Sequence, residues 1–289
     1  MAPGQFRTEV LEKTVRLHRG ALRSRPMGWP DLDALLERVE PAEPYFRLYG
    51  PQPLPPEAYA DEVQEFGVRR RQLARDRFLR LMREGATLVL NRLELFSPVA
   101  RTLCREVAAF AGQQTTANAY VCFGGSGTFG KHWDVHDVFA VQLIGGKRWQ
   151  VYAPSFPLPL SGQTSERVGG SCPPQPVLDC VLEAGDVLYI PRGWWHQATP
   201  LGEAALHLSI GSFVPTVMDY VLWACGRTLP LNLLARKGLI DEQDSAAAVA
   251  ELLPELMAAL GDPRLLAEFQ RAIAERQGPP PANTAVFSL

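Results

Sequence analysis

Short apolar stretches separated by turn residues dominate the middle of the chain. From residue 116 onward, hydrophobic positions form runs of four to eight residues bounded by glycine, proline and polar residues. Such runs predict β-strands, and seven of them with no helical pattern in between favour an antiparallel barrel or jelly roll over a parallel α/β sheet. The predicted strands cover residues 116–123, 138–143, 147–152, 178–182, 187–190, 195–198 and 206–213.

Before this region the pattern is mixed. Residues 31–39 predict a helix, and the proline-dense residues 41–57 predict an extended segment, because proline interrupts helices. Apolar positions at helical spacing among arginines predict a helix within residues 58–84, ended by Gly85. Residues 86–90 predict a buried strand. Ser97 and Pro98 are typical of a helix start, and that helix should run to about residue 112.

After Pro215 the pattern becomes helical again, in three segments. We therefore expect an N-terminal helical and extended segment packed on the barrel (1–85), the barrel itself (86–214), a C-terminal helical region (215–278) and a flexible tail (279–289). The predicted fold class is α+β, mainly β, with a jelly-roll core flanked by N- and C-terminal helices.

Composition excludes several classes of protein. The chain has 289 residues, 46% of them hydrophobic, and a formal net charge of −2, so neither a disordered protein nor a strongly basic nucleic-acid surface is expected. No apolar run approaches the ~18 residues of a membrane span, and the first residues lack the apolar block of a secretory signal. The five scattered cysteines contain no C-x-x-C motif, which argues against a disulfide framework or structural zinc site. We expect a cytoplasmic protein.

Four of the five histidines lie between residues 132 and 207. His132 and Asp134 are two residues apart, so in an extended chain both side chains point to the same face. His196 follows a glycine turn and a short strand, an arrangement that can bring its side chain back to the face shared by His132 and Asp134. An isolated H-x-D is more often a solvated turn, but two imidazoles and one carboxylate together are typical of a non-haem Fe(II) site. Zinc is less favoured, because its sites are usually more closed and nearer tetrahedral.

A lysine is predicted inside the barrel. Along residues 147–152, Lys147 alternates in phase with Trp149 and Val151. If that face lines the barrel, the buried ammonium needs a fixed anion, since an unpaired buried charge is costly. A dicarboxylate cosubstrate that chelates iron at one end would place its other carboxylate there.

Residues 129–152 and 183–198 together resemble the cupin-type JmjC oxygenases, nearest to the ribosomal oxygenase branch with its bacterial members. The resemblance covers roughly residues 86–213 and implies a double-stranded β-helix. It implies that His132, Asp134 and His196 bind Fe(II), with 2-oxoglutarate and O2 as cosubstrates. It also implies that Lys147 binds the distal carboxylate of 2-oxoglutarate. The other cosubstrate-pocket residues that it implies are Asn118, Tyr120, His207 and Ser209.

The implied activity is hydroxylation of an amino-acid side chain in a protein or peptide, either a ribosomal protein or a ribosomally synthesised peptide natural product. A free amino acid or small molecule is an alternative substrate, and a non-catalytic metal-binding cupin is an alternative class. We expect a homodimer formed through the C-terminal helices, with no membrane and no direct nucleic-acid partner. Relatives carry a winged-helix domain after those helices, for which the 74 residues after Pro215 leave little room.

Several further residues lie near the predicted site in the sequence. His136 shares the face of His132 and Asp134, and we expect it to contact substrate or to form a local hydrogen bond. Trp194 and Trp195 point opposite ways, so at least one is structural. The glycines at 124, 125, 127 and 130 lack the ending of a phosphate loop and predict a mobile lip over the metal. The arginines between residues 69 and 80 favour a solvated helix face over a surface that contacts RNA or an acidic partner.

Overall fold

The computed structural model describes residues 1–24, 26–125, 127–240 and 242–277. The chain divides into two compact units, Met1–Phe213 and the residues from Val214 onward. The helices are α1 (Pro3–Glu9), α2 (Trp29–Leu36), α3 (Arg75–Arg83), α4 (Pro98–Ala111) and α5 (Ser165–Val168) in the first unit, and α6 (Val217–Thr228), α7 (Glu242–Leu260) and α8 (Pro263–Gln277) in the second. The strands are β1 (Arg16–His18), β2 (Phe46–Tyr49), β3 (Pro53–Leu54), β4 (Ala60–Glu65), β5 (Val68–Leu73), β6 (Thr87–Leu90), β7 (Gln114–Cys122), β8 (Asp137–Ile144), β9 (Lys147–Tyr152), β10 (Leu178–Leu182), β11 (Val187–Ile190), β12 (Trp195–Pro200) and β13 (Ala205–Phe213).

Two antiparallel sheets form the core of the first unit, and β4 and β5 form a separate two-stranded sheet. The larger sheet has the order β1-β11-β8-β13-β7-β6-β2-β3, and the smaller one has the order β10-β9-β12. All seven strands predicted after residue 116 are present, with ends within two residues of the prediction. This confirms the predicted class: a mainly β jelly-roll core with flanking helices.

Strand β8 is buried on both faces, which explains its nearly unbroken apolar sequence. One set of alternating residues, including Val138 and Ala140, packs between the two sheets against Trp149 and Val151 of β9. The other set joins the core that the larger sheet forms with the N-terminal helices; it consists of Phe139, Val141 and Leu143. The strand therefore separates an inner core, which borders the candidate site, from an outer one.

Local signals set the ends of α4 as predicted. The Ser97 hydroxyl accepts a hydrogen bond from the Ala100 amide at 3.3 Å, and Pro98 occupies the first helical turn, where its missing amide proton costs nothing. Gly112 ends the helix in the left-handed conformation, with φ of 76°. The first long helix is shifted from its predicted position: α2 begins after Gly28, whose amide binds the Asp31 carboxylate at 2.7 Å.

The helix predicted within residues 58–84 is wrong for its first two thirds. Residues 60–73 form the β4–β5 hairpin, and only α3, from Arg75, is helical. The hairpin turns at Phe66 and Gly67, both with positive φ, which no helix tolerates in succession. The apolar spacing was helical only from Phe78 onward. The arginine run is consequently split between a strand and a helix, where Arg71 and Arg77 pair with acidic neighbours.

Within its described residues, the second unit contains the three α-helices α6, α7 and α8. Thr216 and Asp219 form a capping box that starts α6. The Tyr220 hydroxyl donates to the Leu260 carbonyl at 3.0 Å, and Phe269 of α8 packs against the rings of Tyr220 and Trp223. Among the residues described, no helix combines the length and the apolar character needed to cross a bilayer. The tail predicted to be flexible, residues 279–289, lies outside the described residues.

Candidate metal centre

A short backbone bridge brings the two predicted histidine ligands together. The His132 amide donates to the His196 carbonyl at 3.2 Å, and the His196 amide donates to the His132 carbonyl at 2.8 Å. Their ring centroids are 4.5 Å apart. Asp134 follows two residues after His132, and one potential ligand atom from each of the three side chains lies within 4.8 Å of the others. The structure therefore assembles the three residues that the sequence singled out.

Both imidazoles are oriented by hydrogen bonds to backbone carbonyls. His132 Nδ1 lies 2.8 Å from the Gly130 oxygen, and His196 Nδ1 lies 3.0 Å from the Trp194 oxygen. Because a carbonyl can only accept, each Nδ1 carries the proton, and in the neutral ring each Nε2 keeps its lone pair. Metal-ligating histidines are commonly fixed in this way. Two such nitrogens and one carboxylate oxygen fit a divalent iron ion with open coordination positions.

Electrostatic interactions among the three residues shift the pKa of each of them. Burial alone would raise the pKa of Asp134, but the hydrogen bond and charge of His196, 3.5 Å away, together with His136 and His132, hold it well below its usual range. Burial lowers the pKa of His132, and the neighbouring His196 lowers it further. Burial lowers the pKa of His196, but the hydrogen bond and charge of Asp134 outweigh it and raise that pKa. A metal ion bound at Nε2 would take the place of the proton shared with Asp134, because imidazoles bind metals in the neutral form and carboxylates in the ionised form.

The three residues line a cavity of about 90 Å³ that also receives Lys147. The lysine side chain is buried on the same face as Trp149 and Val151, as its alternation predicted. Its Nζ lies 3.0 Å from His207 Nδ1 and also contacts the Cys122 thiol, and burial lowers its pKa. No carboxylate of the described residues lies within ion-pair distance of this ammonium. The cavity therefore offers a buried cation without a protein anion.

The other predicted pocket residues divide into two groups. Tyr120, His207 and Ser209 line the cavity, and the rings of Tyr120 and His207 stack with centroids 5.0 Å apart. The pKa of His207 is well below its usual value, mainly because the ring is buried and also because Lys147 is nearby. The ring is therefore neutral. Asn118 does not line the cavity. Its side chain contacts the Tyr120 hydroxyl and accepts from the Arg92 amide at 3.1 Å, so it supports a lining residue instead.

His136 stays outside the three-residue cluster. Its Nδ1 lies 3.1 Å from the Asp137 carbonyl oxygen, and its ring packs against Phe213. The local hydrogen bond is one of the two roles expected for it. Trp195 is buried, donates to the Ser155 hydroxyl at 2.9 Å and packs edge-on against Trp133, which makes it structural.

The glycine-rich loop borders the cavity through Gly127, Thr128 and Phe129. The Thr128 hydroxyl lies 2.6 Å from the Thr87 hydroxyl on β6, so a hydrogen bond joins the loop to the larger sheet. Thr87 also lines the cavity, although no pattern in the sequence marks it.

Cys122 is a further residue of the site that the sequence prediction lacks, since its thiol contacts Lys147. It lies two residues beyond Tyr120 on β7, so the alternation that linked Asn118 to Tyr120 could have indicated it.

Residues 92–220 match the model of the JmjC domain family, which confirms the resemblance found in the sequence. Among relatives, the bifunctional lysine-specific demethylase and histidyl-hydroxylase NO66 of Drosophila mojavensis is 30% identical over 178 residues, 54% of this chain and 20% of the fly protein. Ribosomal oxygenase 2 of Rattus norvegicus is 34% identical over 132 residues, 44% of this chain and 27% of the rat protein. The chain therefore spans only a fraction of the length of these relatives.

Solved structures show the same fold over nearly the whole chain. The crystal structure of the Escherichia coli ribosomal oxygenase YcfD superposes with a TM-score of 0.57 and 18% identity, covering 94% of this chain and 70% of YcfD. A structure of YcfD in complex with cobalt and 2-oxoglutarate gives a TM-score of 0.56 at 16% identity, with the same coverage.

Proposed function

We propose that the protein, whose residues 92–220 match the model of the JmjC domain family, is an Fe(II)- and 2-oxoglutarate-dependent oxygenase that hydroxylates an amino-acid side chain. One observation carries the proposal: a site of two histidines and a carboxylate shares a small cavity with a buried lysine that lacks a protein anion. An iron ion bound there would supply open coordination positions for O2 and for the cosubstrate.

Each cavity residue has a role in this proposal. His132, Asp134 and His196 would hold the iron, and Lys147 would neutralise the distal carboxylate of 2-oxoglutarate through a charge-assisted hydrogen bond. His207 accepts from the lysine through Nδ1, so its Nε2 carries the ring proton. Lys147, His196 and His207 are buried, which limits the access of water to their side of the cavity.

We propose that the substrate is a protein or a peptide. The rat relative is named a ribosomal oxygenase and the fly relative a histidyl-hydroxylase, which supports a residue of a ribosomal protein as the target. A ribosomally synthesised peptide natural product and a free amino acid are the other substrates to compare. A non-catalytic cupin is a weaker proposal, because burying Lys147 without an anion costs free energy that a purely structural barrel would avoid by using an apolar residue.

Succinate formation tests the proposed activity. Purified protein with Fe(II), ascorbate and 2-oxoglutarate should release succinate, and release should increase with the correct substrate class. Ribosomal proteins, short peptides and free amino acids form the three arms, and mass spectrometry should find one added oxygen atom on the true substrate. No succinate in any arm, with or without substrate, would sink the oxygenase proposal.

We further propose that the C-terminal helical region, predicted as residues 215–278, forms a homodimer. Val249, Leu253 and Met257 follow one another at four-residue intervals along α7, and each is about half exposed or more. Residues at this spacing share one face of a helix. An exposed apolar stripe of this kind is typical of a protein interface.

Met257→Glu is expected to convert the dimer into a monomer, because the interface would have to bury an unpaired carboxylate. The dimer dissociation constant should rise at least about tenfold, which corresponds to about 1.4 kcal/mol. Light scattering coupled to size-exclusion chromatography measures the mass. The matched control is Val177→Glu, which places the same charge at a half-exposed apolar position of the first unit. An unchanged mass for Met257→Glu would rule out this face as the interface.

A further inference from the structure

A buried carboxylate anchors the turn between β11 and β12, which precedes His196. Asp137, the first residue of β8, is fully buried. One carboxylate oxygen accepts from the Arg192 amide at 2.9 Å, and the other accepts from the Tyr189 hydroxyl at 2.8 Å. Charge-assisted bonds of this length are among the stronger hydrogen bonds in proteins. Asp137 itself is not part of the three-residue cluster.

The anchored turn, residues 191–194, touches two members of the candidate metal site. The Gly193 amide donates to the Asp134 carbonyl at 3.0 Å. The Trp194 carbonyl accepts from His196 Nδ1 at 3.0 Å, so the turn sets the orientation of that imidazole. The turn is also tightly packed: a Cβ on Gly193 would lie 2.6 Å from the Phe156 carbonyl oxygen. A displacement of the turn would therefore be transmitted to both Asp134 and His196.

The N-terminal segment completes the same network. The Glu12 amide donates to the Tyr189 hydroxyl at 2.9 Å, so this hydroxyl bridges Glu12 and Asp137. The Glu12 carboxylate accepts from Arg192 Nη2 at 2.6 Å and from Nε at 3.1 Å. Arg192 Nη1 also donates to the Pro159 carbonyl at 3.2 Å. Glu12 has φ of 60°, a conformation that costs free energy in a residue with a side chain. Glu12, a strained residue far from the turn in sequence, therefore holds the Arg192 side chain in place.

We infer that Asp137 and Glu12 are positioning residues of the metal centre, acting through the turn at residues 191–194. The inference rests on the proposed function. The N-terminal segment is then a component of the metal site, since its carboxylate and amide hold the turn that orients His196.

A second buried aspartate, Asp186, provides a control that distinguishes an effect on the metal site from a loss of overall stability. Asp186 also binds the N-terminal segment: its carboxylate accepts from the Gly20 amide at 2.8 Å, from the Glu183 amide at 3.0 Å and from Arg19 at 2.6 Å. None of these groups contacts His132, Asp134 or His196 among the described hydrogen bonds. Asp186→Asn should lower stability without changing metal affinity, which makes it the matched control for Asp137→Asn.

Isothermal titration calorimetry of the metal-free protein with Co(II) tests the inference. It measures metal affinity directly and does not depend on catalytic turnover. Asp137→Asn should weaken Co(II) binding about 10- to 100-fold, the loss typical of removing a group that orients a ligand. Glu12→Gly should weaken it in the same direction, and this variant should fold because glycine accepts positive φ without strain. Asp186→Asn should bind Co(II) as the wild type does.

The outcomes distinguish the inference from the proposed function. Wild-type Co(II) affinity in both Asp137→Asn and Glu12→Gly would overturn the positioning role while leaving the oxygenase proposal intact. Equal losses in Asp186→Asn would also overturn it, since the effect would then be global. If Asp137→Asn does not fold, Glu12→Gly alone decides. A wild-type protein that binds no Co(II) would overturn the proposed metal centre itself, and the inference with it.

Discussion

Asp134→Ala is expected to abolish metal binding and succinate formation together. The carboxylate is the one acidic side chain that lines the cavity in the part of the chain that the structure describes. Its removal would leave two neutral imidazoles and no negative charge to balance a divalent ion. Loss of a group that merely orients a ligand costs 10- to 100-fold in affinity, so loss of a ligand should weaken binding by more than about 100-fold.

Calorimetric titration with Co(II) and an iron assay of the purified protein both measure this effect. Asp179→Ala is a suitable control, because Asp179 is an acidic residue whose partner, Arg148, lies outside the cavity. The control should keep metal affinity and activity within about twofold of the wild type, as is usual for a surface ion pair. Full iron occupancy in Asp134→Ala would contradict the assignment of this residue as a ligand.

Features encoded over a few residues could be predicted from the sequence. The strands after residue 116 show their period of two directly, which is why the inward position of Lys147 followed from Trp149 and Val151. The two-residue spacing of His132 and Asp134 is a local signal of the same kind. The ends of α4 are also local, because Ser97 and Gly112 cap it through neighbouring backbone groups.

The hairpin at residues 60–73 shows where local patterns mislead. Its arginines and glutamates are exposed on both faces, so no apolar alternation marks the strands. Because the apolar residues of α3 follow directly with helical spacing, the predicted helix included the hairpin as well. Only the left-handed turn at Phe66 and Gly67 distinguishes it, and a phenylalanine is an unusual residue for such a turn.

The environment of Lys147 depends on closure of the barrel. The lysine belongs to the smaller sheet, whereas Cys122 and His207 belong to β7 and β13 of the larger one. The alternation of each strand predicts which residues face inward but not which strand lies opposite. The pairing of Glu12 with Arg192 is equally long-range. Such contacts follow from the fold as a whole, so neither could be predicted from spacing.

Lys147→Met is expected to weaken 2-oxoglutarate binding strongly while leaving Co(II) affinity unchanged. Truncating one partner of a buried, hydrogen-bonded charge pair costs about 2–5 kcal/mol, which corresponds to a rise in the KM for 2-oxoglutarate of about 30-fold or more. The same change should raise the Tm of the ligand-free protein, because methionine fills the space without burying an unpaired cation. Wild-type cosubstrate affinity in this variant would refute the lysine as the carboxylate partner.

The pH dependence of stability and of cosubstrate binding provides a second test of the role of Lys147. Burial lowers the pKa of Lys147 from its ordinary value of 10.5 in the folded, ligand-free protein. Between the lowered value and 10.5 the unfolded chain binds more protons, so the stability of the ligand-free protein should rise with pH in that window. Cosubstrate binding needs the charged lysine and should weaken as pH rises through the same window. Lys147→Met should lose the pH dependence of both stability and cosubstrate binding. Lys131→Met is the control and should keep both, because the Lys131 ammonium is exposed over the Tyr152 ring and lies outside the cavity.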